Sequence, residues 1–475
     1  MAIYKAKTAI TRGAQLRKLL IFGLLLSLIF ATPVSVASPT KSVIYKSIMT
    51  YEVKNNGPGA AMNVVATICI FKDWSDWASQ QVLATDASPS GEILDALDNR
   101  ALIVPLGTIQ AGESKTIVIT QVIKVDYVDR RPLDPTVVEN SVSPGFGYLS
   151  QIDRLWESEA PEIKEKALEL TAGEMNLYFK TERIFDFVKS YLKYERQVEE
   201  HSALWAYNHH VGDCTEFTNL FIALCRAAGI PAKFVAGYGY KPELEGDLGG
   251  MRHALAVVYL PKHGWTPVDL AWPLGVGSFC ELGTDRIILA TSDGVNMVED
   301  GNIRPPGGYR VSYKFIVDSP AHCQIILKDG TISREVAVEP KITPQPELED
   351  GTWRFSVLIR NTGRRTVTNV KVELSADVTH FEVSPAQSLK ELGPGASQLI
   401  RFEVRIKEGV EKSTLKAHVT YDCDFGTLEA EDEIRVSVPP SMAPKDSWKE
   451  LKEALILILP AAAVIVATVL IIRRR

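Results

Sequence analysis

The chain has 475 residues, enough for about three domains at ~150 residues each, so a single small fold is excluded. With 46% hydrophobic and 23% charged residues it is neither a solvated disordered polymer nor collagen-like. Five Lys or Arg and no acid in 1–37, and three Arg at 473–475, leave −14 of the formal −6 to the residues between them. That acidic middle lacks the basic stripe of a phosphate-backbone binder, so no nucleic acid is expected as a partner.

Lys5, Lys7, Arg12, Arg17 and Lys18 precede an apolar run at 19–31, and Ser35-Val36-Ala37 supplies a small-x-small pattern for cleavage after Ala37. Residues 1–37 are therefore expected to be a signal peptide. An uncleaved anchor is the alternative, although the apolar run is short for a spanning helix.

Residues 41–130 contain β-branched runs such as 63–71 and 115–125 between Gly, Pro and Asn clusters, which predicts an all-β module. Residues 140–318 change character. Ile184, Phe187, Val188, Tyr191 and Leu192 recur at helical spacing, and after Gly229 the pattern turns to strands at 232–240, 254–260 and 266–269. Helices followed by an antiparallel sheet make this middle module α+β.

Residues 319–438 return to strand grammar. Asn55-Asn56-Gly57-Pro58-Gly59-Ala60-Ala61-Met62-Asn63-Val64 aligns without gaps to Asn361-Thr362-Gly363-Arg364-Arg365-Thr366-Val367-Thr368-Asn369-Val370. In each region a Leu-Gly follows, at Leu106-Gly107 and Leu392-Gly393. The repeated Asn-x-Gly turn with Asn-Val opening a strand resembles Ig-like or fibronectin-like sandwiches, so two β-sandwiches are expected to flank the middle module. Spacing and stability are their expected role, with ligand or glycan binding as the other possibility.

Residues 439–453, with Pro439, Pro440 and Pro444, read as a stalk. The stretch 454–472 holds 19 uncharged residues before Arg473-Arg474-Arg475, long enough to cross a ~30 Å hydrocarbon core. The positive-inside bias keeps the arginines cytoplasmic, so a cell-membrane location with the bulk of the chain outside is expected. Cysteines 69, 214, 225, 280, 323 and 423 are too scattered for a disulfide framework or a zinc site. Cys323 and Cys423 remain a possible pair if the fold brings them together.

The chemistry-bearing residues lie in the middle module. Gly212-Asp213-Cys214-Thr215-Glu216 precedes an apolar stripe of Phe217, Leu220, Phe221, Leu224, Cys225 and Ala228, which ends at Gly229 with Pro231 beyond. Cys214 therefore opens a helix, with Asp213 as N-cap and Glu216 completing a capping box. A thiol in that first turn feels the positive end of the macrodipole and unpaired backbone N–H groups, which favour thiolate and suit an oxyanion. Cys225 lies roughly 16 Å further along the helix and is expected in the core.

Downstream come Ile230-Pro231-Ala232-Lys233-Phe234-Val235-Ala236-Gly237, then His253-Ala254-Leu255-Ala256-Val257-Val258-Tyr259-Leu260-Pro261, then Gly264-Trp265-Thr266-Pro267-Val268-Asp269. Over residues 150–272 the chain resembles the transglutaminase-like superfamily of papain-related thiol enzymes. The resemblance implies Cys214 as nucleophile, His253 as base and then acid, and Asp269 as the carboxylate that orients the imidazole. Each role has its own physical need: a thiolate attacks, an imidazole protonates the leaving amine, and an acceptor on the second ring nitrogen fixes the tautomer. Leu255 and Val257 depart from the family, which often carries an aromatic and an acid there, and are expected to make the cleft more aliphatic.

His209 and His210 are secondary candidates to line the cleft. As a metal pair they lack partners at ligand spacing, and no metal or other cofactor is expected. His263 is expected in an exposed turn, Trp205, Trp265 and Trp272 as cleft wall or core, and the acidic loop 243–247 as a solvated turn rather than a calcium site. The expected function is an extracytoplasmic, membrane-anchored thiol enzyme, a protease or amidase acting on proteins or peptides through a Cys214 thioester. A cross-linking transglutaminase and a non-catalytic binding scaffold are the alternatives.

Overall fold

The computed structural model describes residues 41–437 except 97, 132, 142–154, 273–276, 293–297, 300–301, 304–308, 317, 350–351, 377–380 and 407–411. The expected signal peptide (1–37), stalk (439–453) and membrane span (454–472) lie outside the described residues. Among those described, no helix is long and apolar enough to cross a membrane.

Ser42–Asn55 and Ser114–Asp126 bury alternate side chains, as a strand covered on one face must, and they pair antiparallel from Ser42 opposite Asp126 to Lys54 opposite Ser114. They form the centre of a sheet ordered Cys323–Val336, Ser42–Asn55, Ser114–Asp126, Ser79–Ser88. A second sheet runs Tyr309–Lys314, Ala61–Ile70, Asn99–Ile109, Glu92–Ala96. Two strands of this first sandwich thus follow the α+β elements in sequence: Tyr309–Lys314, expected within the middle module (140–318), pairs instead with Ala61–Ile70. Cys323–Val336, expected in the second sandwich, instead lies along Ser42–Asn55, from Asn55 opposite Cys323 to Ile44 opposite Val336. Alternation marks a half-buried strand but does not say which distant sheet it joins.

The second sandwich begins at Val338. Its sheets run Val338–Glu349, Thr352–Asn361, Ser397–Ile406, Phe381–Val383 and Gln387–Leu392, Val367–Ala376, Lys412–Cys423, Gly426–Ser437. Cys323 and Cys423 therefore sit in different sandwiches, and all six cysteines are free thiols.

The repeated Asn-x-Gly turn has a physical cause. Asn55 Nδ2 donates to the carbonyls of Gly59 (2.7 Å) and Ile109 (3.1 Å), while its Oδ1 accepts from Gly57 N (3.0 Å). Asn361 repeats this with Arg365 (2.8 Å), Leu392 (2.9 Å) and Gly363 N (3.0 Å). Both asparagines are fully buried, so every polar atom of the side chain needs its partner, and only an amide supplies two donors and an acceptor at this size.

Between the sandwich strands lies the α+β module. Its main helices are α1 (Pro161–Thr171), α2 (Leu177–Tyr191), α3 (Ala203–His209) and α4 (Cys214–Ala227), with a single helical turn at Leu248–Met251. Its strands are β1 (Ala232–Gly239), β2 (Arg252–Leu260), β3 (Gly264–Asp269), β4 (Ser278–Phe279) and β5 (Arg286–Ser292), hydrogen-bonded in the antiparallel order β4-β3-β2-β1-β5.

Helix α4 is the spine of the module. Every residue from Glu216 to Arg226 is buried, because α1, α2, α3 and the sheet surround it. Phe217, Leu220, Phe221 and Leu224 pack with Ala254, Ala256 and Val258 of β2. The helix stops where the sequence indicates: Gly229 takes φ 77°, and Ile230 N–H turns back to Cys225 O at 2.8 Å. That turn delivers the chain into β1.

Candidate active site

The start of α4 is locked by a capping box. Asp213 Oδ1 accepts from Thr215 N (3.0 Å), its side chain also takes the Glu216 N–H, and Glu216 Oε2 accepts from Asp213 N (2.9 Å). The other Glu216 oxygen accepts from His201 N at 2.9 Å. Gly212 is required here, since a side chain on it would strike Glu216 Cβ. Burial pushes the Glu216 carboxyl up, and the backbone N–H groups that it accepts offset this in part, leaving it at about 7.

The cap consumes two of the N–H groups that the sequence offered to an oxyanion. The Cys214 N–H itself has no protein acceptor among the described residues. It stays available beside the part-buried Cys214 side chain.

His253 stands at the head of β2 and Asp269 at the end of β3. Val268 lies opposite Ala256, so His253, three residues back, and Asp269, one residue on, share a face and meet diagonally. His253 Nε2 lies 2.9 Å from Asp269 Oδ2, and the Cys214 side chain lies close enough to the ring to act on its charge. Burial favours the neutral ring, but Asp269 and Cys214 outweigh it and raise the imidazole to about 10. Asp269 is fully buried. Burial works against its charge, yet His253, Arg286 and the Ala271 N–H hold the carboxyl below its usual range. Its Oδ1 accepts from Ala271 N (3.2 Å) and Trp272 N (3.1 Å), which fixes the plane of the group.

Two further residues complete the site. The Trp272 ring lies 5.1 Å from the His253 ring and is anchored by Nε1 donating to Asp285 Oδ2 at 2.7 Å. Tyr194 stands close enough to Cys214 to feel its charge; burial and that charge push the phenol up to about 12. Sequence reasoning missed Tyr194. It is placed by a two-residue parallel pairing of Lys193–Tyr194 with Val211–Gly212, too short to leave a pattern.

The secondary candidates fall elsewhere. His209 stacks at 4.2 Å on Trp205, whose ring also stacks at 3.8 Å on His201, and His210 packs at 4.4 Å on Tyr191. His263 is part-buried in the turn, with Nε2 3.4 Å from Asp134 O. Trp265 lies under the Lys233 ammonium and against the Tyr259 ring. Leu255 and Val257 correct the expectation of an aliphatic cleft: both are buried with Trp74, Trp77, Val235 and Ile288, where the first sandwich covers the sheet. In the loop 243–247, Glu245 binds Tyr240 and Arg364, and Asp247 caps Gly250. Among the described residues no three His, Cys, Asp or Glu side chains converge as metal ligands.

Residues 164–270 match the transglutaminase-like superfamily. The chain carries a transglutaminase-like domain. The match ends at Leu270, just past Asp269, and spans α4, β1, β2 and β3. The domain is similar to the uncharacterized protein YebA of Bacillus subtilis, at 26% identity over 144 residues, covering 27% of this chain and 20% of that protein; the chain thus spans about a fifth of that relative's length. Among solved structures, a candidate cysteine protease from Cytophaga hutchinsonii is 18% identical, with TM-score 0.39, covering 64% of this chain and all of that one. A transglutaminase of red sea bream is 10% identical, with TM-score 0.22, covering 80% of this chain and 93% of that one.

Proposed function

We propose that the protein is a thiol hydrolase that cleaves amide or peptide bonds of proteins or peptides through a thioester on Cys214. The observation that supports this best is a single imidazole, His253, hydrogen-bonded to a buried carboxylate and close to a cysteine side chain at a helix N-terminus. The Cys214 sulfur adds to the carbonyl carbon. The oxyanion so formed faces the Cys214 N–H and the positive end of α4. The C–N bond breaks as the His253 imidazolium gives its proton to the departing amine. Asp269 keeps the ring oriented throughout. Water then gives a proton to His253 and adds to the thioester, which releases the acid and restores the thiol.

The same reading keeps the bulk of the chain outside the cytoplasm, tethered by 454–472 and released from 1–37. Its substrate is then an extracellular protein or wall peptide.

The test incubates the full chain with a glutamine-containing peptide and a labelled primary amine. Release of ammonia with formation of the free acid, or of cleaved peptide, without incorporation of the amine and abolished in Cys214→Ala, is the expected result. Amine incorporation overturns hydrolysis in favour of cross-linking. No product of either kind, together with iodoacetamide labelling of Cys214 no faster than an ordinary thiol at pH ~6, removes the enzymatic reading altogether.

A further inference from the structure

β5 is the edge strand of the transglutaminase-like sheet, and its outer side needs partners for its N–H and C=O groups. Two side-chain amides of the first sandwich take the place of a neighbouring strand. Gln80 Nε2 donates to Ile288 O and Gln80 Oε1 accepts from Ile288 N, each at 2.8 Å. Asn99 does the same with Thr291, at 2.9 Å to the carbonyl and 2.8 Å from the N–H. Gln80 is buried, and its Nε2 also donates to Lys72 O at 2.9 Å, so the amide has no freedom to turn.

Ile288 is the residue at which the pairing of β1 with β5 slips. Ala236 lies opposite Ala290, but Gly237 lies opposite Ile288. A side chain at Gly237 would strike Ile287 O, so glycine is needed at the bulge. Gly237 in turn lies opposite His253. Two residues before Ile288, Arg286 opens β5. Its Nε lies 3.4 Å from Asp269 Oδ2, and its Nη1 bonds Asp285 Oδ1 at 2.6 Å.

The reaction sets Asp269 a problem. While His253 carries its proton, the buried carboxylate has a cationic partner; once the ring gives that proton away, Asp269 would be a lone charge in the interior, which is strongly unfavourable. A guanidinium stays charged whatever His253 does. We propose that Arg286 is a positioning residue of this site, holding Asp269 ionised while His253 is neutral, and that Gln80 of the first sandwich holds Arg286 there through β5. This rests on the reading of His253 as acid and base. Among the described residues, the charged groups at Asp269 are His253 and Arg286, with Asp285 on the far side of Arg286 and of the Trp272 indole; those at His253 are Asp269 and Cys214, with the uncharged Trp272 ring and Gly237 beside it. Both supports lie outside the 164–270 match, so that segment alone is an incomplete site.

The test follows the titration of His253 by NMR in the full chain labelled with ¹⁵N-histidine, its signal identified by loss in His253→Asn. Arg286→Met removes the cation that competes for Asp269, so the ring is expected to hold its proton more tightly and its midpoint to rise by about one pH unit. Arg286→Lys restores most of the wild-type midpoint. Gln80→Leu, which touches neither Asp269 nor His253, moves it the same way by about half a unit. Near-UV circular dichroism checks the fold, and should Arg286→Met not fold, Gln80→Leu carries the test. An unchanged or lowered midpoint in the folded variants overturns the proposal. The readout needs no turnover: a raised midpoint in a chain that hydrolyses nothing leaves the coupling standing and defeats only the hydrolytic reading.

Discussion

Cys214 and Cys225 lie on one helix, and what separates them is place alone. Cys214 opens α4, part-buried, beside the His253 imidazole and with its N–H unpaired. Cys225 is fully buried near the other end, and burial pushes its thiol far above the ordinary value against the weaker pull of Arg226. Its sulfur meets hydrocarbon, where a thiolate is penalised. On the proposed function, reactivity is set by which end of the helix the sulfur occupies and what faces it. The largest expected effect tests this directly. Cys214→Ala is expected to lower turnover by about 10⁴-fold or more with little change in thermal stability. Cys225→Ala is expected to keep turnover within about twofold and to cost about 1–2 kcal/mol of stability, read by denaturant unfolding. If Cys225→Ala is as inactive as Cys214→Ala, place does not explain the difference.

The two ends of α4 also differ in charge, because only the Cys214 end carries a buried acid. Glu216 sits at about 7 in the folded chain, against an ordinary value near 4.5. A carboxyl raised by folding binds its proton more tightly in the native state. It therefore contributes stability that is full below pH ~4.5 and lost as pH rises through ~7, about 3 kcal/mol in all. Glu216→Gln mimics the protonated form, with one acceptor and one donor group, and is expected to flatten the stability profile across that window. Urea unfolding of both proteins at several pH values between ~4.5 and ~7 measures it. A wild-type slope that survives unchanged in Glu216→Gln assigns it to another group.

Local features of this site were legible because local rules produce them. The Asp213 cap, the Glu216 partner, the stripe from Phe217 to Leu224 and the Gly229 stop all act within a few residues, and so did the two Asn-x-Gly turns. That His253 and Asp269 stand on adjacent antiparallel strands followed from two runs and a short turn; that they meet diagonally rather than side by side is set by the register. What escaped is nonlocal. Nothing in the alternation of Cys323–Val336 says that it returns to a strand nearly three hundred positions earlier. Leu255 and Val257 look like cleft residues until the first sandwich, with Trp74 and Trp77, covers that face. Arg286 and Gln80 matter only because an edge strand needs partners, and edges are defined by the finished sheet.

Tyr194 offers the finest distinction at the Cys214 end. The cap leaves the Cys214 N–H as the backbone donor nearest the sulfur, and one donor is a weak oxyanion site where two or three are common. The phenol of Tyr194, whose ring packs 6.2 Å from that of Phe217 in the first turn of α4, is within reach of the Cys214 charge and keeps its proton at any working pH, since burial and that charge push it up to about 12. A protonated phenol is a donor. Tyr194→Phe keeps the ring and removes only that donor, so kcat is expected to fall about tenfold while KM stays nearly constant, the split of an interaction made in the transition state. A rise in KM at constant kcat assigns the hydroxyl to substrate binding instead. No change in either leaves the Cys214 N–H and the end of α4 to carry the oxyanion, which sharpens the contrast with Cys225 to the backbone alone.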